Sequence, residues 1–152
     1  MARIEKIPVA ELFAREEFKR LSDAYAAEAG NPEFGKWEID QDAYVEAEKS
    51  GYGGWAFAVY EDEKDKLVGF AYAICATQPH FCHTRVLAVD AIYVDPAARR
   101  KGAGLSLIKA LRGWAKVVGA AGVLLGAKNG TAAYRFYDGV AKPMNTLFWM
   151  QA

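Results

Sequence analysis

The sequence predicts an α/β fold of the α+β type: a mixed, mostly antiparallel central sheet of six to seven strands, with helices on both faces. Three observations predict it. Residues 55–94 hold three runs rich in Val, Tyr, Phe and Ile at short spacings, the pattern of an antiparallel meander. A long amphipathic helical pattern at 102–119 is followed by a short apolar run at 123–126, and a strand–helix–strand unit needs a parallel neighbour in the sheet. The first 50 residues read largely as helix, so both faces of the sheet can be covered.

Taken in order, residues 3–9 alternate weakly and suit a first strand. Residues 11–29 read as one helix, with Leu12, Phe13, Phe18, Leu21, Ala24 and Tyr25 at helical spacing and Gly30-Asn31-Pro32 as its stop. Residues 31–40 are irregular around Trp37. Asp40 is placed to N-cap a helix over 41–49, and 50–54 is a Gly-rich loop. Strands are expected at 55–60, 67–76 and 84–94, joined by a charged turn at 61–66 and a longer connection at 77–83. In the helix at 102–119, Leu105, Ile108, Leu111, Ala115 and Val118 form one stripe, widened by Leu107 and Trp114, while Lys109, Arg112 and Lys116 mark the wet side. A strand at 123–126, a helix over 131–138 stopped by Gly139, and a closing strand at 144–150 complete the chain. No repeat or linker interrupts it, so residues 1–152 are expected to form a single domain.

Bulk properties exclude several classes. With 152 residues the chain is long enough to bury a core, and 53% apolar residues exclude disorder. Lys and Arg total 19, as do Asp and Glu, which argues against a dedicated nucleic-acid binder. Two cysteines, Cys75 and Cys82, make neither a disulfide framework nor a paired-cysteine zinc signature, and a reduced, cytoplasmic setting fits them. The N-terminus lacks the apolar core of a signal peptide, and the longest largely apolar run, 67–76, is too short to span a bilayer.

The stretch Ile92–Leu105 carries the chemistry. A strand breaks at Pro96, a turn with Arg99, Arg100, Lys101 and Gly102 follows, and a helix then begins. A loop feeding a helix N-terminus presents backbone N–H groups and the positive end of the helix dipole, and basic side chains add to both, so the stretch suits a phosphate-bearing ligand. The mononucleotide P-loop pattern is absent. A dinucleotide fingerprint would need glycine where Leu107 stands. What remains is Arg-x-x-Gly-x-Gly after a strand ending in Val-x-Pro, carried by Arg99, Gly102 and Gly104 after Tyr93-Val94-Asp95-Pro96, with Leu107-Ile108-Lys109-Ala110-Leu111 following and Phe136-Tyr137 downstream. This pattern resembles the acyl-CoA loop and helix of the GNAT acyltransferase superfamily, and the element order resembles that family's too. It departs from the usual pattern at Arg100, often glycine in relatives, at Leu105, often Ser or Thr, and in the short ending after Tyr137.

The resemblance implies a GNAT-like fold and an acetyl-CoA-dependent N-acetyltransferase in which an amine attacks the thioester directly. It implies that the backbone of Ile92, Tyr93 and Val94 pairs with the pantetheine arm, that Arg99, Arg100, Lys101, Gly102, Ala103, Gly104 and Leu105 hold the pyrophosphate, and that Asn129 and Tyr134 contact CoA. Tyr137 matches the family's general acid, with Tyr134 one turn earlier in reserve. A phenol near pKa 10 can protonate a thiolate whose conjugate acid lies near 8.5 with only a small uphill step. Asp90 is the expected base; regular alternation puts it on the same side of the strand as Ile92. His80 and His83 are its rivals, since histidine titrates near neutrality.

Cys75, His80, Cys82 and His83 do not have metal-ligand spacing, and no metal is expected. Trp37, Trp55, Tyr44 and Tyr52 suit either core or the wall of an acceptor pocket. That pocket is expected between the N-terminal helices, the 77–83 connection and the closing strand. The acceptor is a primary amine on a small molecule, peptide or protein, and the region lacks the acidic density that a polyamine calls for. No membrane or nucleic-acid partner is expected, and a homodimer is left open. The alternatives are a non-catalytic acyl-CoA-binding or partner-binding module and, on the strength of Arg99-Arg100-Lys101 alone, a nucleic-acid role.

Overall fold

A computed structural model of the chain describes residues 2–50, 54–61 and 65–152. Among these residues there are five strands in spatial order β1-β2-β3-β4-β5, rather than the six to seven expected: β1 Arg3–Ile7, β2 Gly54–Tyr60, β3 Leu67–Gln78, β4 Phe81–Val94 and β5 Val123–Leu125. The first three pairings are antiparallel, and β4 and β5 run parallel, as the strand–helix–strand order requires. Tyr52 and part of the 50–54 loop, with half of the 61–66 turn, lie outside the described residues.

The sequence expectation of one helix over 11–29 is corrected to two, α1 Val9–Ala14 and α2 Phe18–Ala29. Arg15 turns extended between them, lays its guanidinium over the Tyr60 ring and donates to the Asp65 carbonyl. This swings Phe18 inward, 5.1 Å from the Phe13 ring and 5.2 Å from Phe70. Helix α3, Gln41–Lys49, starts where Asp40 accepts from the Ala43 N–H at 3.0 Å. These three helices cover one sheet face through Leu12, Leu21, Ala58, Phe70, Tyr72 and Tyr93.

A short helix α4, Pro96–Arg99, capped by Asp95, leads into α5, Ala103–Val117, on the opposite face. There Leu107, Ile108, Leu111 and Ala115 meet Phe57, Val59, Ala71 and Leu87. Leu107 is the centre of the buried stripe and Leu105 is 45% exposed, the reverse of the expected weighting, because the helix is rotated to set Ala103 against the sheet.

Three further expectations are corrected. The connection at 77–83 is part of the β3–β4 hairpin, whose turn is only 79–80. The last helix, α6, runs Ala132–Val140, so Gly139 lies inside it, and the cap is Thr131, whose hydroxyl accepts from Tyr134 N–H. Residues 144–150 pair with no described strand; β5 offers an edge of three residues, too short for a seven-residue partner. Met144, Leu147, Phe148 and Met150 are exposed, and Trp149 touches only the Phe34 ring, 5.2 Å away, among aromatic contacts. No described helix is long and apolar enough to cross a membrane.

Candidate functional site

The site grows from an irregularity in β4. Tyr72 pairs with Ala91 and Ala73 with Val89, so Asp90 is an extra residue, a β-bulge. Before the bulge Leu87 and Val89 face α5; after it Ile92 and Val94 do, while Ala91 and Tyr93 face the N-terminal helices. Regular alternation would set Asp90 beside Ile92. The bulge instead turns its carboxylate to the α3 side, where it accepts a 2.7 Å bond from the Tyr44 hydroxyl.

The same strand has an open edge. β5 pairs with β4 only at 87–89, while β4 continues to Val94. The Asp95 N–H bonds the Val68 carbonyl at 2.8 Å, which fixes the ladder's phase: Tyr93 turns its peptide groups to β3, and Ile92 and Val94 turn theirs outward. The Val94 carbonyl already accepts from Arg99 Nε at 2.7 Å, so an extended polar ligand can add to the N–H and carbonyl of Ile92 and to the Val94 N–H, as a further strand would. Tyr93 is not part of that edge. Its ring is buried on the opposite face, under the Arg99 guanidinium at 5.2 Å.

Beyond this edge the chain forms an anion cradle. Gly102 stands at φ 80°, left-handed backbone that favours glycine, and N-caps α5 without a side-chain bond. The first intrahelical bond is Ser106 N–H to Gly102 O, so the N–H groups of Ala103, Gly104 and Leu105 have no partner among the described residues. No acidic residue lies in that first turn. These donors and the dipole of a 15-residue helix fit a pyrophosphate. Of the three basic residues, Arg99 is held elsewhere: it donates twice to Glu28 on α2, at 2.8 Å each, and through Nε to the Val94 carbonyl at 2.7 Å. Lys101 pairs with Glu61 at 3.2 Å. Arg100 alone has no partner among the described residues. Glu28 was missed in the sequence; it lies 71 positions from Arg99, and no local pattern links them.

Tyr137 sits on the α5 face in the cluster that holds Leu107 and Ala103, with Ile92 packed against it. Its hydroxyl has no hydrogen-bond partner among the described residues. Burial, with a smaller contribution from the nearby Tyr25, raises its pKa well above the ordinary phenol value. The Tyr25 phenol on α2 is also raised chiefly by burial, and further by the Asp90 charge. Only its place in a helical stripe was readable beforehand. Tyr134 is 44% exposed. Asn129 is exposed and does not cap α6. Phe136 reaches Gly104, where an added Cβ would lie 3.6 Å from its ring, so α6 touches the cradle.

Around Tyr44 the three N-terminal helices and the sheet line a small aromatic recess of about 40 Å³. Tyr44 stacks edge-on against Tyr72 at 4.6 Å, and Tyr25 against Trp37 at 5.5 Å. Gly54 makes room for the Tyr72 ring; a Cβ there would lie 1.7 Å from its hydroxyl. His80 and His83 are exposed at the far end of the hairpin. Measured along β3, where Gln78 faces Phe81 and Tyr72 faces Ala91, this end of the hairpin is roughly 20 Å from Asp90 at ~3.3 Å per residue, too far for either histidine to act as a nearby base. Cys75 is buried in β3, and Cys82 is exposed. Trp55 packs against Trp114 on the α5 side, at 5.5 Å, and not in the recess.

The profile of the acetyltransferase (GNAT) family matches residues 13–139. No curated protein shows significant sequence similarity to the chain. Among solved structures, the ribosomal-protein-alanine N-acetyltransferase of Brucella melitensis biovar Abortus 2308 is 22% identical, with TM-score 0.71 over 100% of this chain and 99% of that one. An aminoglycoside acetyltransferase from an uncultured soil metagenomic sample is 18% identical, with TM-score 0.74 over 99% and 96%. The glucosamine-6-phosphate N-acetyltransferase of Arabidopsis thaliana is 13% identical, with TM-score 0.71 over 99% and 98%. At these identities the likeness is one of fold.

Proposed function

We propose, for a chain that belongs to the GNAT acetyltransferase family, that it moves the acetyl group of acetyl-CoA to a primary amine by direct attack. The observation that carries this reading is the continuity of the open Ile92–Val94 edge with the uncapped N-terminus of α5. One end suits an extended amide-bearing arm and the other a pyrophosphate, and Tyr137 belongs to the same apolar cluster as Val94 and Ala103.

Acetyl-CoA supplies the activated acyl carbon and a thiolate leaving group. The residues of the chain do the rest. Asp90, directly or through a water, accepts a proton from the incoming ammonium, which frees the nitrogen lone pair. Outward N–H groups of β4 polarise the thioester carbonyl. Nitrogen bonds to the acyl carbon, the carbon–sulfur bond breaks, and the Tyr137 hydroxyl gives its proton to sulfur. Tyr137 then regains a proton from the nitrogen by way of solvent. The balance is amide, CoA thiol and one released proton.

The test is binding and turnover together: calorimetric titration with acetyl-CoA, and thiol release across a panel of primary amines. Acetyl-CoA binding with amine-dependent thiol release is expected. Binding without release from any amine supports a non-catalytic acyl-CoA-binding module instead. A single domain over 1–152 and a cytoplasmic location belong to the same proposal.

A further inference from the structure

The recess between α1, α2, α3 and the sheet is unusual in what it lacks. None of its lining residues carries a formal charge, and Ser22 is the one polar residue besides the phenols. The walls are rings: Phe13, Tyr25, Trp37, Tyr44 and Tyr72, over a floor at Ala91. Two carboxylates meet it: Asp90, bound to the Tyr44 hydroxyl and next in sequence to that floor, and Glu48, already bound to the Val9 N–H at 2.7 Å. Asp90 and Ala91 straddle the bulge that turns both to this side. A cavity of apolar rings whose one carboxylate not held by a backbone N–H is Asp90 matches a monocation with an apolar body, since rings reward apolar contact and also attract an ammonium at their faces.

A polycation fits poorly. Outside the mouth, Glu38, Asp40 and Asp42 stand near Ile39, which lines both the recess and that outer surface. Asp40 is occupied as the α3 cap, and Glu38 has Lys36 at 3.6 Å. Exposed carboxylates of this kind steer a cation in solution but are screened by salt. Inside, several ammonium groups would meet only apolar walls, and burying an unpaired charge is costly.

Resting on the acetyltransferase reading, we propose that the acceptor is a primary amine bearing one compact apolar group, aryl or branched alkyl. The group enters the recess beneath Trp37 while the nitrogen stays at Asp90. Trp37 is 44% exposed and forms the outer wall, so it sets how large a group is held. The same chemistry is offered by a free amine and by a peptide whose first residue is bulky and apolar.

The experiment measures kcat/KM by thiol release for 2-phenylethylamine, isoamylamine, a peptide beginning with Phe, glucosamine and spermidine. The apolar amines are expected to exceed glucosamine and spermidine by roughly tenfold or more, the scale of discrimination an apolar pocket achieves. Whichever of the free amines and the peptide leads identifies the source, and either supports the proposal. Trp37→Ala should raise KM for the leading apolar amine by roughly tenfold, the loss of one good ring contact, with KM for acetyl-CoA unchanged. A lead for spermidine or glucosamine overturns the proposal and leaves the acetyltransferase reading standing. Acetyl-CoA binding with no amine acetylated overturns both.

Discussion

Replacing Tyr137 by Phe separates chemistry from architecture. Tyr137 is 9% exposed, and its hydroxyl has no partner among the described residues. Phe keeps the ring against Leu107 and Ala103. The hydroxyl is not fully enclosed, so water can serve it and its removal changes desolvation little. The thermal midpoint is therefore expected to hold. Turnover should move differently. A positioned general acid contributes about 10²–10⁴-fold, or roughly 3–5 kcal/mol of barrier. Stopped thiol release should show kcat and kcat/KM falling together by that factor, with the acetyl-CoA dissociation constant unchanged. The raised pKa of Tyr137 does not weaken this expectation. In water the gap between phenol and thiol is about 1.5 units, roughly 2 kcal/mol, and burial that penalises phenolate also penalises the thiolate it protonates. The phenol stays protonated through pH 10, so Tyr137 adds no basic limb to the rate profile below that pH. By the same sign, the stability of its neutral form is complete below pH 10 and is lost as pH rises towards its folded value. Undiminished kcat removes Tyr137 from the mechanism, and a lower melting temperature in the variant refutes the account of its hydroxyl.

Four other substitutions test the surrounding frame. Gly102→Ala adds a Cβ that meets nothing within 4 Å but forces a left-handed backbone at φ 80° on an L side chain; stability should fall by about 1–2 kcal/mol, and KM for acetyl-CoA should rise more than KM for the amine. Asp95 is opposed by burial, yet bonds from Ala97 N–H and Arg20 hold its pKa below the ordinary 3.8. Its stabilisation is present above that value and disappears as pH falls through the lower folded pKa, so urea midpoints of Asp95→Asn should be flatter than wild type below about pH 4. Leu107→Ala, at a position 0% exposed, should cost about 2–5 kcal/mol, whereas Leu105→Ala, at a position 45% exposed, should stay within about 0.5 kcal/mol; equal urea midpoints for the two would refute the observed orientation of α5.

The readable parts were those fixed by neighbours in sequence. Asp40 caps α3 because its own carboxylate reaches an N–H three residues on. Gly102 marks a left-handed cap, and Pro96 marks the end of β4, each through its own backbone restriction. The unreadable parts depend on distant partners. Arg15 breaks the first helix by reaching Tyr60 and Asp65. Glu28 draws Arg99 away from the cradle to which its loop position assigned it. Residues 144–150 have strand composition, but composition supplies no edge to pair with. The mis-weighting of Leu105 has the same origin, since a helix periodicity gives a stripe while the sheet selects its centre.

The bulge at Asp90 shows most clearly why a residue can be chosen correctly and aimed wrongly. No Gly or Pro marks it, because it arises from how β4 registers against Tyr72 and Ala73. Its consequence is chemical. In a regular strand Asp90 would share the α5 face with Ile92, on the side of Tyr137. One inserted residue turns the carboxylate towards Tyr44 and the aromatic recess, while Ile92 keeps its outward peptide at the open edge. Under the proposed reaction, the proton acceptor thus lies on the amine's side of the sheet and the proton donor on the thiol's side. A direct transfer needs the nitrogen over the face of the thioester carbonyl, with a proton acceptor at the nitrogen and a separate donor at the sulfur, and an open-edged strand with a single bulge would let contiguous residues serve both.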